Sequence, residues 1–291
     1  MHSILSSVFL RRAVRPASAA RAARAARAAR HASSSTTSST SPPIVELREY
    51  KLHPAFAADY IKATVAAASV RHEHVPTRLF SLPETGGALN VATHLYDYVG
   101  GHAEREAARG GMPGDARWVE YLGEVRPFVA EQRSTIFVEA SDIVDNFSLH
   151  GMSGAGPQPY KPNPGDTSPS YEGICDTSPI YEIRRYQLKL GYDTVPRFLA
   201  HYASGLGSKL GAEGTHESTS LVTLLYSDIG PLNEVIEVWR HGAGTHAMQV
   251  SRGAARGAGP WRDAISEIAD LAMSFTSTVH KPVGGGLSKW N

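Results

Sequence analysis

A single cysteine, Cys175, stands among 291 residues. That excludes an internal disulfide and a cysteine-based metal site, and fits a reducing compartment. No apolar run approaches the roughly 20 residues needed to span a bilayer, so no transmembrane segment is expected. Acidic residues are missing before Glu46, where Arg11, Arg12, Arg15, Arg21, Arg24, Arg27 and Arg30 supply the formal charge. With those seven set aside, 22 basic residues face 28 acidic ones. The body is therefore net acidic and carries no electrostatic footprint for nucleic acid.

The leader is rich in Arg, Ala and Ser, and its Ser/Thr tract from Ser33 to Ser41 ends at Pro42-Pro43. It lacks the apolar core of a secretory signal, since Ile4 to Leu10 is short and contains two serines. Residues 1–43 therefore read as a mitochondrial transit peptide with a Ser/Thr-rich linker. The location it implies is the matrix or the inner-membrane surface, with the serines keeping a chloroplast open.

What is present is a repeat. Ile44-Val45-Glu46-Leu47-Arg48-Glu49-Tyr50-Lys51-Leu52 returns as Ile180-Tyr181-Glu182-Ile183-Arg184-Arg185-Tyr186-Gln187-Leu188. After each come a helix, a hairpin, a second helix and a final strand, predicted for copy one near 44–52, 75–83, 89–98 and 134–139. The fold class is α+β: two tandem ferredoxin-like βαββαβ domains, 44–141 and 180–283, packing sheet to sheet as an internal pseudo-dimer, an α+β barrel. Residues 142–179, rich in Pro, Gly and Ser, read as a linker that buries little, and 284–291 as a flexible tail.

The turn Tyr226-Ser227-Asp228-Ile229-Gly230-Pro231-Leu232-Asn233, running on to Val238-Trp239-Arg240-His241, resembles the signature of NIPSNAP domains. Its key positions are Gly230, Pro231 and Asn233, with Asn90 matching in copy one, where Glu84 to Asn90 is a more divergent version. The resemblance implies a mitochondrial protein with paired domains of the dimeric α+β barrel type. It also implies a link to mitophagy through protein partners and no firmly attached enzymatic activity; separately, no cofactor and no metal site is expected.

Strand alternation places Glu46, Arg48 and Tyr50 on one face, and Glu182, Arg184 and Tyr186 on its repeat. His94, Tyr96 and Tyr98 share a face of the third strand, matched by Glu237, Trp239 and His241. With the apolar partners packed on the helices, this polar face is expected to point at the other copy. It would then line a barrel pocket for a small apolar or anionic ligand, or lock the halves together. In a catalytic reading, His94, His241 or the Arg/Tyr set does acid–base work.

Three weaker patterns remain. His72-Glu73-His74 offers two imidazoles but no third ligand, and reads as a solvated helix end. The run from Gly242 to Ala247 mimics a dinucleotide fingerprint without its βαβ context, and reads as a strand-to-helix turn. In the linker, Tyr171 and Ile174 are spaced as anchors for strand addition to a ubiquitin-like autophagy adaptor. A homo-oligomer is left open.

Overall fold

The computed structural model describes residues 42–156, 179–284 and 287–290. The first copy runs β1 (Ile44–Leu52), α1 (Ala57–Ala66), α2 (Ala68–His74), β2 (Thr77–Thr85), β3 (Val91–Tyr98), α3 (Gly101–Gly111), α4 (Ala116–Val125) and β4 (Val129–Glu139). A short helix, α5 (Ser141–Asn146), follows. The second copy runs β5 (Ile180–Leu188), α6 (Thr194–Leu210), β6 (Thr219–Ile229), β7 (Glu234–His241), α7 (Gly244–Gly257), α8 (Gly259–Leu271) and β8 (Ala272–Pro282).

The eight strands form one closed barrel in the order β1-β3-β2-β8-β5-β7-β6-β4. Every neighbouring pair is antiparallel. Two seams, β2–β8 and β4–β6, join the halves. Both seams contain a bulge, and Pro83, which has no N–H to give a ladder, sits at the bulge of the first. Closure removes every free sheet edge.

Hairpin tips cross those seams. Gly86 has φ +89°, and a Cβ there would lie 2.3 Å from the Ser277 carbonyl oxygen of β8. Gly230 has φ +127°, and its Cβ would lie 2.8 Å from the Thr135 methyl of β4. Only glycine meets both the conformation and the approach. The turn asparagines do a related job: Asn90 and Asn233 accept through their carbonyls from the Leu52 and Leu188 N–H groups (2.7 and 2.8 Å). The turn motif thus ties each hairpin to the end of the first strand of its own copy.

The centre of the barrel is apolar and filled. Val45, Leu47, Leu79, Leu95, Phe137, Tyr181, Ile183, Val222, Leu225, Ile236 and Val238 form one buried cluster contributed by both halves. An eight-stranded barrel has room for side chains and little else. Toward the C-terminal ends of β1 and β5 the interior is crossed by Arg185, which pairs with Glu49 at 2.7 Å and Glu234 at 3.5 Å. At their N-terminal ends Met152 and Trp290 join the apolar cluster.

This reverses one expectation and amends three others. The face bearing Glu46, Arg48 and Tyr50 points outward to the helices, while Val45 and Leu47 point inward. Both sheet faces are buried, so a period of two separates the faces without saying which is inside. The stretch expected to be a linker from 142 begins with α5, which buries Ile143 and Val144, and Met152 reaches the barrel. The tail likewise docks: Tyr181 donates its hydroxyl to the Trp290 carbonyl (2.7 Å), and Phe80 N–H donates to Ser288 Oγ (2.9 Å). The last strand of copy one also begins earlier, at Val129. Tyr171 and Ile174 lie outside the described residues.

Trp290 at 1% exposure is expected to act as a core residue. Trp290→Ala should cost about 3–5 kcal/mol in urea unfolding; a change within about 0.5 kcal/mol, typical of surface positions, would show that the tail carries no stability.

Candidate functional site

Each copy holds a polar cluster between the outer face of its half-barrel and its helices. In copy two, β5 alternation sends Glu182, Arg184 and Tyr186 outward, and β7 adds Glu237, Trp239 and His241. Glu182 is fully buried. It accepts from Arg184 Nε (2.5 Å), from Arg252 of α7 (2.5 Å) and from Ser277 (2.8 Å), and faces His241 Nε2 at 3.3 Å. Burial raises a carboxyl, but these donors outweigh it and hold Glu182 far below the usual carboxylate range.

Glu237, also buried, accepts from the Tyr186 hydroxyl (2.6 Å) and the Trp239 indole N–H. Lys209 of α6 ends 3.6 Å from it, with Nζ 3.9 Å from the centre of the Trp239 ring and 4.2 Å from that of Trp261. Burial is the main reason the Lys209 ammonium falls to about 7, with Glu237 pulling the other way. Burial also lowers His241, against the pull of Glu182. Above this floor opens a cavity of about 610 Å³, walled by Arg184, Trp239, Arg252, Trp261, Ile265 and Phe275 among others. That is within the range of small-molecule sites.

In copy one the outward set is Glu46, Arg48, Tyr50, His94, Tyr96 and Tyr98. Glu46 accepts from Arg48 (3.0 Å), Ser134 (2.5 Å), and Arg105 and Arg109 of α3 (3.0 and 2.5 Å). Burial raises its carboxyl, and the bonds from Arg105, Ser134 and Arg109 bring it down to about 2. Arg71 of α2 is buried and donates to the hydroxyls of Tyr121 and Tyr96 (both 2.9 Å) and toward His94 Nδ1 (3.3 Å). A guanidinium only donates, so Nδ1 is the acceptor and Nε2 carries the ring proton toward the Tyr60 hydroxyl at 3.3 Å. Burial, then Arg71 and Arg48, keep His94 neutral. The cavity here is smaller, about 220 Å³.

The twelve residues singled out on the strands are therefore brought together in two sites, each beneath its own helices, and not in one barrel pocket. Sequence reasoning missed the helix partners Arg71, Arg105, Arg109, Lys209 and Arg252. A signal existed for two of them: Tyr60 and Arg71, like Phe198 and Lys209, stand eleven apart, placing a cation at the end of a buried helix stripe. His74, at the end of α2, bonds Asp115 (3.0 Å), and among the described residues no group of acidic, His or Cys side chains is placed to hold a metal. Gly242 and Ala243 lead straight into α7, and no described helix is long and apolar enough to cross a membrane.

Glu46 and Glu182 give a pH signature. Their folded carboxyls titrate below the unfolded value of 4.5, so the stability they contribute is present above that pH and is lost progressively below it, toward about 2 for Glu46 and further down for Glu182. For Glu46 the size is about 3 kcal/mol. Unfolding followed from pH 6 to pH 2 should show the loss, and Glu46→Gln should flatten it; an unchanged slope would mean the carboxylate is not held by its arginines.

Three solved structures share the architecture. A candidate monooxygenase from Lactobacillus acidophilus aligns at TM-score 0.52 and 8% identity, over 84% of this chain and 95% of its own. A candidate monooxygenase from Fusobacterium nucleatum aligns at 0.53 and 10%, over 84% and 94%. An anthrone oxidase-like protein aligns at 0.50 and 10%, over 84% and 92%. At such identities the likeness concerns the fold. No curated protein matches the chain. The NIPSNAP family model matches residues 45–142, the copy whose turn departs further from the family signature. Those residues are similar to a NIPSNAP domain.

Proposed function

We propose that the chain binds a small, flat, apolar anion in the cavity of its second half. The observation that carries this is the Arg184–Lys209 pair of cations set among the Trp239 and Trp261 rings beneath a 610 Å³ opening. Indole faces supply apolar stacking surface, and a guanidinium and an ammonium supply the anchor for a carboxylate or phenolate. Two fold neighbours are named as monooxygenases and one as anthrone oxidase-like. Anthrone is a flat tricyclic ketone, which suits the same cavity. Lys209, near neutrality, is the group that could take a proton from such a ligand, with His94 and His241 held neutral by burial.

The repeat and the β4-β1-β3-β2 and β6-β7-β5-β8 orders support reading the halves as tandem ferredoxin-like units. The leader composition supports a mitochondrial location. A partner-binding role, including one in mitophagy, draws on the family resemblance and on the segment holding Tyr171 and Ile174. The ligand reading is preferred because a scaffold has no use for a large hollow floored by a buried ammonium.

Calorimetry with 2-naphthoate tests the proposal. Binding is expected for 2-naphthoate and not for 2-naphthamide. Ala269→Trp, which fills the mouth from α8, should weaken it at least about tenfold. Affinity should be highest below pH 7, where Lys209 is charged, and fall as pH rises through about 7. Equal binding of acid and amide, or binding of neither, would overturn it.

A further inference from the structure

The halves are not equivalent where their charges meet. Copy two puts Glu237 beside its helix cation Lys209. The matching strand position in copy one, at the offset that aligns Trp118 with Trp261, is His94. Arg71, the cation that corresponds to Lys209, therefore meets a neutral imidazole and two phenols in place of a carboxylate. Its Nε has no hydrogen-bond partner although it is buried.

The surrounding charges add to the imbalance. Arg48, Arg105 and Arg109 converge on the single carboxylate of Glu46. The cavity of about 220 Å³ beside Arg71 is lined by Arg48, Arg109 and Arg126 as well, and by no acidic side chain among the described residues. Phenol oxygens orient dipoles at a guanidinium without neutralising it, so a buried arginine in this setting is short of one negative charge. The rest of the lining is aromatic and aliphatic: Tyr50, Tyr60, Trp118, Met112, Leu122 and Val125.

The geometry points to a second, independent ligand site in the first half, in which Arg71 and Arg48 hold the carboxylate of a small organic acid with a short apolar body. The planar fork of Arg71 suits a carboxylate. Tyr96 and Tyr121 are positioning residues that hold the guanidinium in place.

The site is tested on the Ala269→Trp protein, whose second-half mouth is blocked, by calorimetry with benzoate, benzamide and inorganic phosphate. Benzoate should bind with one-to-one stoichiometry, benzamide should not, and phosphate should bind more weakly for want of an apolar body. Arg71→Met should weaken benzoate at least about tenfold, and Arg71→Lys should restore part of the loss. If Arg71→Met does not fold, Arg126→Glu at the exposed mouth decides, since reversing that charge should weaken benzoate and spare the fold. Absence of benzoate binding, equal binding of benzamide, or indifference to both Arg71→Met and Arg126→Glu overturns the site. Phosphate binding as tight as benzoate overturns the carboxylate assignment. None of these outcomes bears on 2-naphthoate in the parent protein, so the two sites fail or stand separately.

Discussion

A sheet closed into an eight-stranded barrel and wrapped in helices has no face left for water, and this constraint governs the rest of the structure. The interior is narrow, so it takes Val, Leu, Ile and Phe side chains and is full. Glu46, Glu182 and Glu237 of the strands lie on the outer face, where helices cover them. A carboxylate there must be paired from the helix side or be lost. Glu46 draws Arg105 and Arg109 from α3; Glu182 draws Arg252 from α7. These ion pairs are what couple the helices to the barrel in register, with the apolar stripes supplying the area.

The same frame then carries two different sites. Trp118 and Trp261 occupy corresponding places on α4 and α8, and a helix cation reaches inward in each half. In the second half that cation finds Glu237 and two indole faces, so the floor is compensated and the space above it is wide. In the first half Tyr121 fills inward to Arg71, His94 stands where a carboxylate would, and the hollow is tighter and more basic.

The repeat, the strand bounds and the turn motif were legible from local pattern. Ile44–Leu52 and Glu234–His241 begin and end where alternation and flanking turn residues put them. Gly230 and Asn233 were recognisable too, although their reason, contact with Thr135 and a bond to Leu188, lies across the barrel and on a neighbouring strand. The direction of the polar face was not legible. Alternation is symmetric between faces, and only the closed barrel, which turns Val45, Leu47, Ile183 and Val238 to its centre, breaks the tie. Trp290 and Met152 sit in segments whose Gly-rich composition hides single anchoring residues.

Element order, the two-copy plan and the identity of the strand residues that share a face all follow from spacing along one chain, and local pattern was enough to read them. Only the folded chain settles that this face meets helices, that Arg71 lacks a carboxylate while Lys209 has one, and that the polar strand residues line a hollow in each half instead of one between them. These depend on groups such as Arg71 and His94, 23 positions apart, or Lys209 and Glu237, 28 apart, whose pairing no local period encodes.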